Sequence, residues 1–524
     1  MASGKILTLL IVATLLALLG AWVVARSYRS SMKRLMKMPL VERSTATGQP
    51  AAAESPVPAT APAALTLADN RRAYRRLLVS FLTLTLVIAL TRTLITQVIA
   101  DGPITLKTVA TLGAAYAWPV LPVLAVIGRW SRPRFVGAML GWFVLAVLLL
   151  TWRTNENVSF AMVFKWMLFD TGLPLVVVTA LCLGGATRAV GPWLAPLFVL
   201  LSGSSILGVD LLAAAFDAGS TISHAFINFF GGIGALVAAA LLPWLVAWWP
   251  ARALGRWLAQ AYRQRRISEL FYLFTAVWVI ALIGPALGAI ADLGWSALVC
   301  FLPLLWIPLG ANLMQRFAAP AIAGRPPTLL VLRVFQQDAN VQELFDHVIE
   351  RWRLTGNTVL IAGTDLVERT IDADDIFTFL DGRLGERFIH TPADIPRRLA
   401  EFEWLPDVEG RYRVNECYCH DTTWQQALAA LVRASDVVLM DLRNFVAQNE
   451  GCLHELRVLA TTPGLARVVV LMNEKTQMPA AQAAIAEATA TAPAGRFVWL
   501  AQQGEVPPAT ENVLTPLFVA AERR

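Results

Sequence analysis

Apolar positions fall into two regimes along this chain. Between residues 6 and 315 they form long, nearly unbroken runs, and from residue 328 onward they shorten to small blocks separated by amphipathic stretches. The long runs lie at 6–25, 77–99, 108–128, 135–152, 161–184, 193–215, 224–248, 268–290 and 294–315. Each approaches the ~20 residues a helix needs to cross a bilayer. Only Lys5 precedes the first run, whereas Arg26, Arg29, Lys33, Arg34, Lys37 and Arg43 follow it, which predicts an uncleaved anchor rather than a signal peptide. Basic residues recur at every second boundary: Arg129, Arg132 and Arg134, then Arg188, then Arg252 and its neighbours to Arg266, then Arg316 and Arg325. The pattern predicts nine spans with the N-terminus outside and the C-terminus in the cytoplasm.

The second regime alternates strand and helix. Apolar blocks at 329–335, 358–362, 437–440, 468–472 and 497–500 are continuous rather than alternating, as in parallel strands buried on both faces. Between the first two, Asn340 and Glu343 form a capping box ahead of a stripe at Val341, Leu344, Phe345, Val348, Ile349 and Trp352, a helical period. The prediction is a five-stranded parallel sheet of flavodoxin-like order, 2-1-3-4-5, covered by helices on both faces. Such sheets bind ligands where the chain direction switches, here between the carboxyl ends of strands one and three. The loops 336–340 and 441–451 would meet there, with Glu455 just inside the following helix. The domain plan is an anchor with its basic flank (1–43), an Ala/Pro-rich linker (44–76), an eight-helix membrane block (77–315), a connector (316–327) and an α/β domain (328–524).

Composition agrees with this division. The chain is 56 % hydrophobic and 15 % charged, with a mean hydropathy of +0.56, too apolar for an ordinary soluble protein. The net charge is +15 up to residue 324 and −8 beyond it. The basic balance therefore belongs to membrane-flanking loops that face lipid headgroups, and it does not argue for nucleic acid. Five cysteines, Cys182, Cys300, Cys417, Cys419 and Cys452, are too sparse for a disulfide scaffold and suit a reducing compartment.

Polar residues inside apolar runs need a reason. Arg92, Lys165, Asp170, Asp210, His224 and Asn228 fall toward the external half of their predicted helices, and structural pairing is the first expectation for them. The glycines at 231, 232 and 234, with Gly203-Ser204-Ser205, are expected to permit close helix packing. In the polar half, Cys417, Cys419, His420, Cys452 and His454 hold the right atoms for zinc without its usual ligand spacing, so no metal is assigned.

The stretch from Trp424 to Leu456 carries a resemblance. A helix leads through Ala434, Asp436, Val437 and Val438 into a strand, then through a loop to Cys452, Glu455 and Leu456 at a helix start. This resembles the core of a Toll/interleukin-1 receptor (TIR) domain, with Asp441 where the family usually has serine and Gly451 where it usually has tryptophan. The resemblance covers about the last 200 residues. It implies a TIR-like fold, a tendency to self-associate, and a catalytic role for Glu455, since enzymatically active TIR domains use a glutamate there to cleave the nicotinamide–ribose bond of NAD. Asp338, Asp441 and Arg443 are the candidate nucleotide-binding residues. NAD enters as substrate and no cofactor is required. The expectation is a homo-oligomeric signalling or effector protein of a bacterial inner membrane, with a non-enzymatic scaffold or a transporter with a regulatory nucleotide-binding domain as the alternatives.

Overall fold

A computed structural model describes residues 2–36, 61–153, 159–182, 185–318, 324–334, 344–362, 373–420, 422–463, 465, 467–489, 495–502 and 510–521. The expected capping box at Asn340 and Glu343 lies outside them. The chain divides into two compact units, one of Met1–Ser27, Ser80–Leu313 and Ile371–Phe377, the other of Tyr28–Val79, Met314–Thr370 and Thr378–Arg524.

The first unit is helical. The helices that lie in it wholly or, for α1, α2 and α12, in part are α1 (Ala2–Met36), α2 (Leu67–Ile99), α3 (Leu106–Tyr116), α4 (Val120–Ile127), α5 (Arg132–Arg153), α6 (Phe160–Met167), α7 (Leu173–Cys182), α8 (Gly185–Asp217), α9 (Thr221–Phe230), α10 (Gly232–Arg263), α11 (Glu269–Leu293) and α12 (Trp306–Ala318). Among the described residues eight helices are long and apolar enough to cross a membrane, and nine if the pair α3–α4, bent by 51°, is one span. The bend falls at Pro119, which has no backbone N–H to donate and disfavours helix in the residue before it. Between α6 and α7 a π turn, Leu168–Gly172, widens the helix just before Pro174. Gly231, at φ 72°, separates α9 from α10.

That last break corrects one expectation. A Cβ added at Gly231 or Gly232 would meet nothing within 4 Å, so these glycines serve a turn and not a helix contact. The close approach is at Gly208, where a Cβ would lie 2.1 Å from the Ala239 carbonyl oxygen of α10.

Two charges within the apolar spans, Arg92 and Asp170, are paired with each other. Arg92 donates to both carboxylate oxygens of Asp170 in the π turn, at 3.0 and 2.8 Å, and lies 3.8 Å from the centre of the Tyr116 ring. With Arg92 only 3 % exposed, the pair sits in a low-dielectric interior where a lone ion would be costly.

The second unit is built on a sheet. Its strands, all parallel, are β1 (Thr328–Arg333), β2 (Asn357–Ala362), β3 (Phe388–Ile389), β4 (Val414–Cys419), β5 (Val437–Asp441), β6 (Val468–Met472) and β7 (Phe497–Ala501), in the order β3-β4-β2-β1-β5-β6-β7. The five expected strands are present in their expected relative order. The sheet is nevertheless seven-stranded, because the long segment between the second and third expected strands contributes β3 and β4 beyond β2.

Alternate residues of the central strands, Leu330 and Leu332, Val438 and Met440, Val468 and Val470, join one buried cluster with Leu428, Leu431, Leu456 and Leu459 of two covering helices. The helix Trp424–Ala434 presents Ala427, Leu428, Leu431 and Val432 to it, one face of a 3.6-residue repeat. Elsewhere in the unit Trp352 stacks on Phe518 at 5.1 Å.

At the amino end of the sheet, Asp436 is fully buried and receives both Arg325 Nη atoms, at 2.6 and 2.7 Å, together with the Thr328 backbone N–H at 2.9 Å. The acidic residue ahead of β5 thus anchors the chain entering β1. Residues placed in the linker by composition join the same region: Ala63 N–H donates to the Arg325 carbonyl, and α2 begins ten residues earlier than expected. Its first turns are held by Asn70, which donates to the Arg351 carbonyl at 2.6 Å, and by Arg71 paired with Glu511. Replacing Asp436 by Ala takes the buried carboxylate away from the Arg325 guanidinium and the Thr328 N–H. The expected loss, by denaturant titration, is about 3–5 kcal/mol, and Arg325→Ala added to it costs less than the two single losses combined.

Candidate functional site

The topology places the switch point between β1 and β5, since the chain leaves β1 toward β2 on one side and returns to β5 on the other. Their last paired residues are Arg333 and Asp441. The loop after β5 is fixed from below: Leu442 N–H donates to the Leu471 carbonyl, Thr476 Oγ1 donates to the Leu442 carbonyl at 2.9 Å, and Asn444 and Asn473 exchange two hydrogen bonds at 3.0 and 2.9 Å. Asn444 has φ 63°, a left-handed conformation that asparagine tolerates better than most residues. A rigid rim results, and it leads into the helix Glu450–Thr461 that carries Glu455.

Asp441 and Arg443 are occupied with each other. Arg443 Nε and Nη2 donate to the two Asp441 oxygens at 2.8 and 2.6 Å, and Nη1 donates to Gln502 Oε1 at 2.9 Å, just past β7. Both side chains are buried, so the pair ties the rim of β5 to that of β7. Asp338 lies outside the described residues.

Glu455 is different. It is 1 % exposed, and its Oε2 has no hydrogen-bond partner. Burial pushes its carboxyl up to about 8, and Arg333 only partly opposes the rise. The group therefore carries its proton through neutral pH. Beside it, burial raises the Cys452 thiol far above its ordinary range, and the Sγ lies 3.9 Å from the Arg333 carbonyl oxygen, so this cysteine is an inert core thiol. Burial, aided by Arg457, lowers the His454 imidazole, which packs edge-on against Trp424.

Of the expected site residues, the structure brings Glu455 and Asp441 to one end of the sheet and adds two partners that sequence reasoning missed. Arg333 had a signal, a cation closing an apolar strand. Gln502 had none, because its role depends on β7 lying two strands from β5. The Cys417 and Cys419 sulfurs are 3.7 Å apart on β4, and His420 Nε2 is 3.0 Å from His390 Nδ1. Among the described residues no group of three or more His, Cys, Asp or Glu is arranged to hold a metal ion.

The apolar helices and the parallel sheet have the make-up of a multi-pass membrane protein bearing an α/β domain. No protein-family model, curated protein or solved structure matches the chain.

The Glu455 proton makes stability depend on pH. The folded state keeps it up to about pH 8 while the unfolded chain releases it near 4.5, so the native state binds more protons in this window and stability falls as pH rises. The slope is about 1.4 kcal/mol per pH unit. Glu455→Gln, which cannot ionise, is expected to remove that component, as the difference between variant and wild-type denaturation curves from pH 5 to 8 would read. Cys452 is expected to resist thiol reagents until the domain unfolds.

Proposed function

We propose that the protein is a membrane-anchored signalling or effector protein of a bacterial inner membrane, with its N-terminus outside and its α/β domain in the cytoplasm, whose switch-point rim binds a nucleotide such as NAD and cleaves it through Glu455. The single observation that carries this reading is the buried Glu455 carboxyl with an unpartnered oxygen at the carboxyl end of the β1–β5 pair. The TIR resemblance points to the same residue, and it adds self-association as the expected working state.

The chemistry follows from charge. NAD presents a cationic nicotinamide ring, and a cation entering beside Glu455 favours release of the carboxyl proton. The resulting carboxylate stabilises the positive charge that builds on the ribose as the C1′–N bond breaks. The bonding pair leaves with neutral nicotinamide, and water attacks C1′ and loses a proton. The Asp441–Arg443–Gln502 tie holds the rim that would frame the ligand.

A second reading, a non-enzymatic scaffold, is favoured by two features: Arg443 and Asp441 satisfy each other, and Glu455 is almost wholly covered.

Full-length protein in nanodiscs is expected to release nicotinamide from NAD, with Glu455→Gln lowering the rate by about 10²-fold or more. Because the ionised carboxylate is the active form, the wild-type rate rises with pH toward 8. NAD left intact at high protein concentration gives the scaffold reading its support and removes the enzymatic one.

A further inference from the structure

The helical unit contains a cavity of about 490 Å³ bounded by α1, α7, α8 and α11. Among the described residues its lining is hydrocarbon almost throughout, as with Leu10, Val178, Val199 and Val277, and it holds no charged group. Its three hydroxyls are already engaged: Thr14 donates to the Leu10 carbonyl, Thr275 to the Phe271 carbonyl at 2.8 Å, and Tyr272 to the Pro192 carbonyl at 2.8 Å. The last bond has a local cause. Pro196, four residues on in α8, has no N–H for that carbonyl, so the tyrosine replaces the missing helix bond. Stacking on Trp193, with ring centres 3.8 Å apart, fixes Tyr272 in place. Cys182, the remaining lining residue with a heteroatom in its side chain, belongs to a type that packs as a small hydrophobe. All four helices lie in segments long and apolar enough to cross a bilayer. Ile11, Leu15 and Val176 are exposed beside the lining residues Leu10, Thr14 and Val177, so outward-facing and cavity-facing positions adjoin along α1 and α7.

We propose that this cavity binds one acyl chain of a membrane phospholipid, which completes the packing between α1 and the other three helices. The lining selects its ligand by what it lacks. A buried water needs about two to four polar partners, and with its hydroxyls engaged the wall does not supply them. Left empty, the space would deprive the surrounding side chains of dispersion contacts on one side. A methylene chain restores those contacts at every carbon. A hydroxyl on the chain would be buried without a partner. The charged headgroup stays outside, because no countercharge lines the wall. Supply points to a phospholipid as the source, since the hydrocarbon layer that such helices cross consists of lipid chains.

The test uses full-length protein in phosphatidylcholine nanodiscs doped with one of two photoreactive lipids. The first is a phosphatidylcholine with a diazirine in the middle of one acyl chain, and the second carries a hydroxyl beside the diazirine. Labelled residues are read by mass spectrometry. The first lipid is expected to label Val178 and Val277, which are 1 % and 2 % exposed and so out of reach of lipid on the outer surface. It also labels Leu245 of α10, 71 % exposed, which reports surface lipid. The hydroxylated lipid is expected to label Leu245 equally and the two cavity residues about tenfold less. Ala195→Phe and Ala276→Phe, each placing a ring on the cavity wall, are expected to abolish cavity labelling and leave that of Leu245 unchanged. Absence of label at Val178 and Val277, equal labelling of them by the two lipids, or cavity labelling unchanged in both variants overturns the proposal. If neither variant folds, the ratio between the two lipids in the wild type decides.

Discussion

A charge removed from water has to be answered by another group, and both units are organised around such answers. In the helical unit Arg92 reaches Asp170 across a π turn and lies against Tyr116. In the sheet unit Arg325 closes on Asp436 at one end of β5, and Arg443 closes on Asp441 at the other. A buried pair adds little net stability over well-packed apolar residues, yet losing one partner is severe. These pairs therefore fix which segments meet. Arg325 with Asp436 sets where the chain enters β1 relative to β5, and that register brings Arg333 level with Asp441 at the switch point.

Glu455 departs from this rule, and the departure gives the site its character. Its neighbour Arg333 lowers the cost of ionisation without cancelling the effect of burial, so the carboxyl remains neutral at the pH where exposed carboxyls are ionised. A neutral, buried acid with one unpartnered oxygen is poised to respond to a cation. Perturbed carboxyls cluster at functional sites, and the burial of Glu455 is what keeps its proton in place at neutral pH.

Much of the fold was legible because its elements carry local signatures. The apolar runs are close to bilayer length, and β1, β2, β5 and β6 read as continuous apolar blocks, as strands buried on both faces must; β7 reads the same way although, at the edge of the sheet, it is only half-buried. Strands β3 and β4 were hidden for a physical reason. The first has two residues, and the second, Val414–Cys419, interleaves Asn415 and Glu416 with its apolar positions. Asn415 caps the Glu403 backbone in both directions, at 2.7 and 3.2 Å, a non-local role that no period reveals. The early start of α2 was missed likewise, because its first residues are polar and are held by Arg351 and Glu511, some 280 and 440 residues away in sequence. At the candidate site, topology alone placed Glu455 near the switch point. Its burial, and the mutual pairing of Asp441 and Arg443, depend on packing that spacing does not encode.

The most direct measurement is the infrared carbonyl stretch of a protonated carboxyl at pH 7, taken as a difference between wild type and Glu455→Gln and followed as NAD is added. The account predicts a protonated-carboxyl band present only in the wild type, which diminishes as the cationic nucleotide occupies the rim. No difference band between the two proteins, or a band indifferent to saturating NAD, would contradict it.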